Sequence, residues 1–227
     1  GYHGVTIAGG SLTAIPLMQN DFDLPLDRMI QTETPNYYRF GKSGETEEQF
    51  AARLADSLEQ LILAEGPETI AAFIAEPVMG AGGAIVPPRT YFEKVQKVLK
   101  RHDILFIVDE VISGFGRTGN MFATETFDIR PDMITLAKGL SAGYQPIAAM
   151  LVSDSIYHAA VAQSEKIGVF GHGFTNSAHP VCAAVALEAL RIYEERDIVR
   201  HVRRVGPRLQ QALREFADHP LVGEVRG

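Results

Sequence analysis

Basic charge is in short supply in this sequence, with 21 Lys and Arg against 28 Asp and Glu and a formal net charge of -7. That balance excludes a general nucleic-acid surface, because binding a phosphate backbone needs a basic stripe. The densest basic cluster, Arg200, His201, Arg203 and Arg204, falls in a helical stretch that also carries acids and reads as a solvated face. Cysteine is nearly absent: Cys182 stands alone. A single thiol excludes an intramolecular disulfide framework and fits a reducing cytoplasm. Set among alanines and valines, it is expected to be a buried, inert thiol. Long apolar runs are missing too, as is a charged-then-apolar opening, so the chain is expected to be soluble and cytoplasmic. There is no initiator Met, Gly1 opens in mid-motif, and the last residues are Val-Arg-Gly, so an internal piece of a longer protein is expected. Internal repeats and low-complexity segments are also lacking.

What is present is an ordinary globular composition, 46% apolar and 22% charged over 227 residues, enough for one large core. Short apolar runs alternate with helical periodicity, which predicts an α/β fold with a mostly parallel sheet. The organising stretch is 104–138. ILFIVDEV reads as a buried parallel strand that delivers Asp109 and Glu110 to the sheet's carboxyl edge, where open α/β sheets bind ligands. MITLA (133–137) delivers Lys138 to the same edge. TIAAFIA (69–75) ends on Glu76, and IAAMLVS (147–153) reads as a fourth strand.

Between these runs the helical signals are explicit. Residues 1–24 read as a loop with a short helix, and 29–40 as a strand leading into an irregular loop. Thr46 and Gln49 form a capping box ahead of Phe50, Leu54, Leu58, Leu61 and Ile62, which share one helical face ended by Gly66 and Pro67. Thr90 and Glu93 suggest a second box, with Tyr91, Phe92, Val95, Val98 and Leu99 pointing inward. Asp154 is expected to cap the next helix. Pro180 suits a first helical position, and the helical pattern from there to Ala217 is expected to break near Asp197 and at Gly206 and Pro207.

Several motifs invite chemistry and are turned down. GFGRTG (114–119) matches G-x-G-x-x-G after a strand, but a dinucleotide site needs the loop to open a helix directly, and NMFATETFDIRPD follows instead. GKS (41–43) resembles the end of a P-loop, yet position 36 is Asn36 where a glycine is required. His172 and His179 share a loop at a spacing that matches no recognised metal pair, so no metal site is assigned. Lys138 is different. A lysine at the end of a buried strand is unfavourable unless paired, neutral or covalently used. It reads either as a side chain that snorkels out or as a Schiff-base lysine, with Asp109 suited to a pyridinium nitrogen.

VDEVISGFGRTG (108–119) followed by ITLAKGLSAGYQPI (134–147) resembles the signature of the class III, or ω-, aminotransferases that depend on pyridoxal phosphate. The interval from Asp109 to Lys138 is 29 residues (138 minus 109), filled as in that family. GYHG, EPVMGAGG and GFTNSAHP fall in the family's order, so the resemblance covers the whole chain. It implies the large domain of the fold-type I pyridoxal-phosphate transferases, over 1–217 and without its N-terminal part, with 218–227 starting the link to a small domain. By the same resemblance Lys138 carries the cofactor, Asp109 holds its ring nitrogen protonated, Tyr2 and Val111 face the two sides of the ring, and His3 joins the cofactor-binding set. Thr175 resembles the residue that reaches the neighbouring subunit's cofactor phosphate, implying a homodimer with shared sites, or a tetramer beyond it. Glu76 and Ala81 resemble substrate-pocket positions. FTNSAHP looks closer to the pyruvate-dependent amine, β-alanine and taurine transaminases than to ornithine or GABA types. The implied reaction is ping-pong transfer of an amino group from an amine or ω-amino acid to a keto acid such as pyruvate. A decarboxylase or aminomutase of the same fold, and a non-catalytic assembly subunit, are the alternatives.

Overall fold

The computed structural model describes residues 1–226. In chain order the elements are α1 (Ile7–Leu12), α2 (Tyr37–Phe40), α3 (Glu47–Glu65), β1 (Ala72–Ala75), α4 (Tyr91–Arg101), β2 (Leu105–Asp109), α5 (Ala123–Thr126), β3 (Met133–Leu136), β4 (Ala149–Val152), α6 (Asp154–Ile167), α7 (Pro180–Glu195) and α8 (Ile198–Arg214). The four strands form one sheet in the order β1-β2-β3-β4. The first two pairings are parallel and β4 returns antiparallel beside β3.

Alternation of side chains along a strand decides what each face of this sheet does. Phe106 and Val108 of β2 pack with the buried stripe of α3 (Phe50, Leu54, Leu58, Ile62) and that of α4 (Tyr91, Phe92, Val95, Val98, Leu99). Farther along the same face, Ile134 and Leu136 of β3 join Ala186, Leu190 and Tyr193 of α7. Each fully buried aliphatic or aromatic side chain contributes about 1.5–3 kcal/mol, so this one-sided core fixes the register of β2 and β3. The opposite face, which carries Asp109 and Thr135, is covered by the chain's first residues at one end and approached by α6 at the other. A cavity of about 900 Å³ lies there, lined by Met133, Met150, Val152 and Tyr157 among others.

Local signals decide where the helices begin and end. Thr46 accepts from the Gln49 amide at 3.2 Å, and Gln49 Oε1 accepts from the Thr46 amide at 2.8 Å, so the first capping box forms as read. Gly66 closes α3 with φ of 91°, a conformation that disfavours a side chain. Four expectations fail, each for a local reason. Thr90 precedes α4 with φ -100° and ψ 7°, away from the extended state that a cap requires, and its buried hydroxyl finds no partner. Residues 29–36 form no strand: Pro35 lacks an amide for a ladder, and Asn36 instead caps α2 by accepting from the Arg39 amide at 3.2 Å. Ser153, not Asp154, holds the cap position of α6, and its hydroxyl pairs with that of Ser155 at 2.9 Å and caps no helix amide. The break at Asp197 occurs, with φ of 46°, but α8 runs unbroken through Gly206 and Pro207. Pro207 is exposed, so its ring displaces no packed side chain on the surface of the helix.

Cys182 is half-buried, not buried as expected. No helix among the described residues is long and apolar enough to cross a membrane.

The two threonines separate capping from mere position. Thr46→Ala is expected to cost about 1 kcal/mol in urea denaturation through loss of the cap. Thr90→Val, which removes an unpaired buried hydroxyl, is expected to leave stability unchanged or raise it.

Candidate active site

Parallel pairing of β2 with β3 sets Asp109 opposite Thr135, so the carboxyl ends of the two strands lie side by side. Asp109 is the last residue of β2 and only 6% exposed. A buried carboxylate must be held by donors, and both oxygens are held. Oδ2 lies 2.8 Å from Nδ1 of His3, and Oδ1 accepts from the Val111 amide at 3.0 Å. The histidine is itself fixed, because its backbone amide donates to Thr13 Oγ1 at 2.8 Å while the Thr13 hydroxyl donates to the Gly4 carbonyl at 2.9 Å. No Lys or Arg pairs with Asp109 among the described residues, so the carboxylate keeps acceptor capacity toward a further cationic donor.

Glu76 follows β1 in the same way. It is 6% exposed, and its two oxygens accept from the Tyr2 amide at 2.9 Å and the Gly80 amide at 3.0 Å. One carboxylate thereby ties the segment carrying Tyr2 and His3 to the 80–84 turn carrying Ala81. Glu110, fully buried, points elsewhere: it accepts from the Ser113 hydroxyl at 2.6 Å and the Thr124 amide at 2.7 Å. Its role is to close the glycine-rich loop against the end of β2. That loop runs through turns, and the next helix, α5, is four residues long and begins only at Ala123. The helix a dinucleotide site needs directly after the loop is not formed.

Lys138 stands two residues past the end of β3 at φ of 42°, opening the 3₁₀ turn Lys138–Ser141. Left-handed backbone is uncommon for a residue with a side chain and is sustained only where the surroundings impose it. The burial expected from its neighbours is not observed: the lysine is exposed at the sheet edge and makes no ion pair or side-chain hydrogen bond among the described residues. Apolar TLA and GLSAG around it describe the strand and the turn, not the environment of the amine.

Asp109, His3, Val111, Tyr2, Glu76 and Ala81 are thus linked by hydrogen bonds or immediate sequence, and Lys138 shares their sheet edge. Thr175 is not part of this group; it lies on the exposed 168–179 loop. The cavity beneath α6 contains neither Asp109 nor Lys138, so the chemistry follows the strand ends and not that void. Sequence reasoning missed the bond between His3 and Asp109, which spans 106 residues, and the closure of the loop by Glu110. It also missed Tyr193, whose hydroxyl donates to the Gly139 carbonyl at 2.9 Å. Nothing in the local pattern announces contacts made at such separations.

The family described as Aminotransferase class-III matches residues 1–227. The chain is 57% identical over 226 residues to gamma aminobutyrate transaminase 3, chloroplastic, from Solanum lycopersicum, covering all of this chain and 44% of that protein. Identity is also 57% to a probable mitochondrial gamma-aminobutyrate transaminase 2 from Oryza sativa subsp. indica, of which 46% is covered. Among solved structures, the omega transaminase from Pseudomonas jessenii in complex with PMP superposes with a TM-score of 0.99 at 58% identity, over all of this chain and 50% of that one. A transaminase with L-ala gives the same TM-score at 62% identity, with 54% of that chain covered. The chain therefore spans about half the length of the relatives it matches.

Glu110→Ala leaves the Ser113 hydroxyl and the Thr124 amide without their acceptor in the interior, each worth about 1–3 kcal/mol. The expected outcome is a marked fall in the urea midpoint, with Glu110→Gln falling less because it keeps one acceptor oxygen.

Proposed function

The chain belongs to the class-III aminotransferases, and on that premise we propose that it forms the cofactor-binding part of a transaminase dependent on pyridoxal 5'-phosphate. In this reading an amine or ω-amino acid gives up its amino group and a keto acid, pyruvate foremost, receives it, in the two half-reactions of a ping-pong cycle. The plant relatives named for γ-aminobutyrate support an ω-amino acid as donor. The observation that carries the reading is a buried, histidine-held Asp109 at the end of β2, with Lys138 two residues past the end of the adjacent parallel strand β3.

The donor set fits the group. Asp109 offers a buried carboxylate with acceptor capacity to spare, which suits a protonated ring nitrogen. Lys138 offers an accessible amine at the neighbouring strand end, suited to attachment at an aldehyde. When bound, the cofactor supplies an electron sink for the charge that develops at the substrate's reacting carbon.

The roles of the chain's own residues follow. Asp109 keeps the ring nitrogen protonated. The Lys138 amine would hold the cofactor, and its Nζ would carry the proton lost by the substrate carbon. Tyr2 and Val111 would wall the ring, and His3 serves the same site by holding Asp109. Glu76 and Ala81 border the substrate side, with Glu76 orienting Tyr2 and the 80–84 turn through their amides. Thr175 serves the phosphate of a partner subunit's cofactor in a homodimer or a larger assembly, a role supported by its exposed loop, where Phe170 and Phe174 are also exposed. Residues 1–217 are taken as the large domain and 218–227 as the start of a link to a small one. The cytoplasmic placement rests on the lone cysteine; the plant relatives are named for the chloroplast and the mitochondrion.

Borohydride reduction of the cofactor-supplied protein, followed by peptide mass spectrometry, is expected to place a pyridoxyl group on Lys138; an unmodified Lys138 contradicts the reading. With pyruvate and γ-aminobutyrate or another amine as substrates, alanine is the expected product, whereas release of carbon dioxide in its place points to a decarboxylase. Asp109→Ala is expected to bind cofactor but lose about 100-fold or more in turnover, the scale of a deleted electrostatic partner in a transition state.

A further inference from the structure

Lys138 adopts an unfavourable backbone state, φ of 42°, and its own side chain makes no hydrogen bond or ion pair among the described residues. The residue after it, Gly139, is gripped from two sides. Tyr193, 54 residues later on α7, donates its hydroxyl to the Gly139 carbonyl at 2.9 Å. Phe115, from the glycine-rich loop after β2, lies so close that a Cβ on Gly139 would fall 2.8 Å from Phe115 Cδ2 and 2.9 Å from its Cβ. The two aromatic rings stack on each other, with centroids 5.9 Å apart and planes 21° from parallel. Phe115 is itself left-handed at φ of 61° and buried, and its loop is closed by Glu110 through Ser113 and Thr124. Two strained residues from different strand ends therefore meet at one glycine, and α7 supplies the bond that locks them.

We infer that Tyr193 is a positioning residue for Lys138: with Phe115 it clamps the Gly139 peptide, holds Lys138 in its left-handed state, and so sets the direction in which the amine leaves the sheet edge. The assignment rests on the proposed role of Lys138. It accounts for three features together: the positive φ at Lys138, the absence of room for a side chain at 139, and a tyrosine hydroxyl spent on a single turn carbonyl. Without the clamp, Lys138 relaxes toward ordinary backbone dihedrals, and its long side chain leaves the sheet edge in other directions. The ring of Tyr193 packs in the second core cluster, so a purely structural role must be told apart from a positioning one.

Tyr193→Phe removes the hydroxyl and keeps the ring and its stacking. The test uses the full protein and follows the rate at which Lys138 captures pyridoxal phosphate, read as borohydride-fixed label on the Lys138 peptide. Steady-state kcat and KM for the amine and the thermal midpoint are measured alongside. The expected result is capture slowed about fivefold, the scale of one hydrogen bond, with kcat reduced, KM little changed and the midpoint preserved. Tyr193→Leu, which also loses the stack, is expected to slow capture further. Unchanged capture and kcat in Tyr193→Phe overturn the inference while labelled wild-type Lys138 upholds the proposed function. Slower capture that only mirrors a lowered midpoint assigns Tyr193 to packing and equally overturns it. An unlabelled wild-type Lys138 removes the proposed function and this inference with it.

Discussion

The parallel register between β2 and β3 is the constraint on which the site depends. Asp109 opposite Thr135 follows from Val108 opposite Ile134, and those apolar residues are placed by the core on the sheet's other face. A slip of one residue would turn Phe106 and Val108 out of that core and Asp109 into it. Hydrophobic burial on one side of the sheet therefore sets the position of a carboxylate on the other. The acid costs free energy to bury, and the fold offsets that cost with a histidine and an amide brought from separate segments.

The same economy recurs in the acids at the ends of β1 and β2. Glu76, Asp109 and Glu110 are all nearly or fully buried, and each is satisfied mainly by backbone amides, a hydroxyl or an imidazole, not by Lys or Arg. Surface ion pairs such as Lys97 with Glu93 or Arg191 with Glu195 are exposed and contribute little to stability by comparison. The buried carboxylates act as joints, each fixing one loop to one strand end. Arg53 shows the surface version, holding Glu45 so that its carboxyl is pulled down to about 2.

Much of this was legible in the sequence because it is local. Apolar runs ending on Glu76, Asp109 and Lys138 marked three strand ends, the Thr46 box marked the start of α3, and the missing helix after GFGRTG turned aside a nucleotide site. Errors arose where a local rule met a tertiary decision. Thr90 has a capping residue's chemistry but the wrong dihedrals; Pro207 sits in a helix exposed enough to tolerate it; Lys138 has apolar neighbours yet faces outward. The bonds from His3 to Asp109 and from Tyr193 to Gly139 link residues far apart in the chain, and no periodicity encodes them. The family resemblance reached His3 as a site residue without revealing what it touches.

The reversal of direction at β4 has a further consequence. Because β4 starts beside the end of β3, with Ala149 opposite Leu136, the chain from the lysine turn to Ala149 stays at that edge of the sheet and never crosses it. The 80–84 turn lies at the same rim, tied by Glu76. Position and rim are thereby encoded in separate stretches of chain: strand register sets where Asp109 stands and where the lysine turn begins, while the 80–84 turn and the stretch to Ala149 lie outside that register. Changes of length in those stretches leave the pairing of β2 with β3 untouched, so the rim of such a sheet can diverge while its strand ends keep their places.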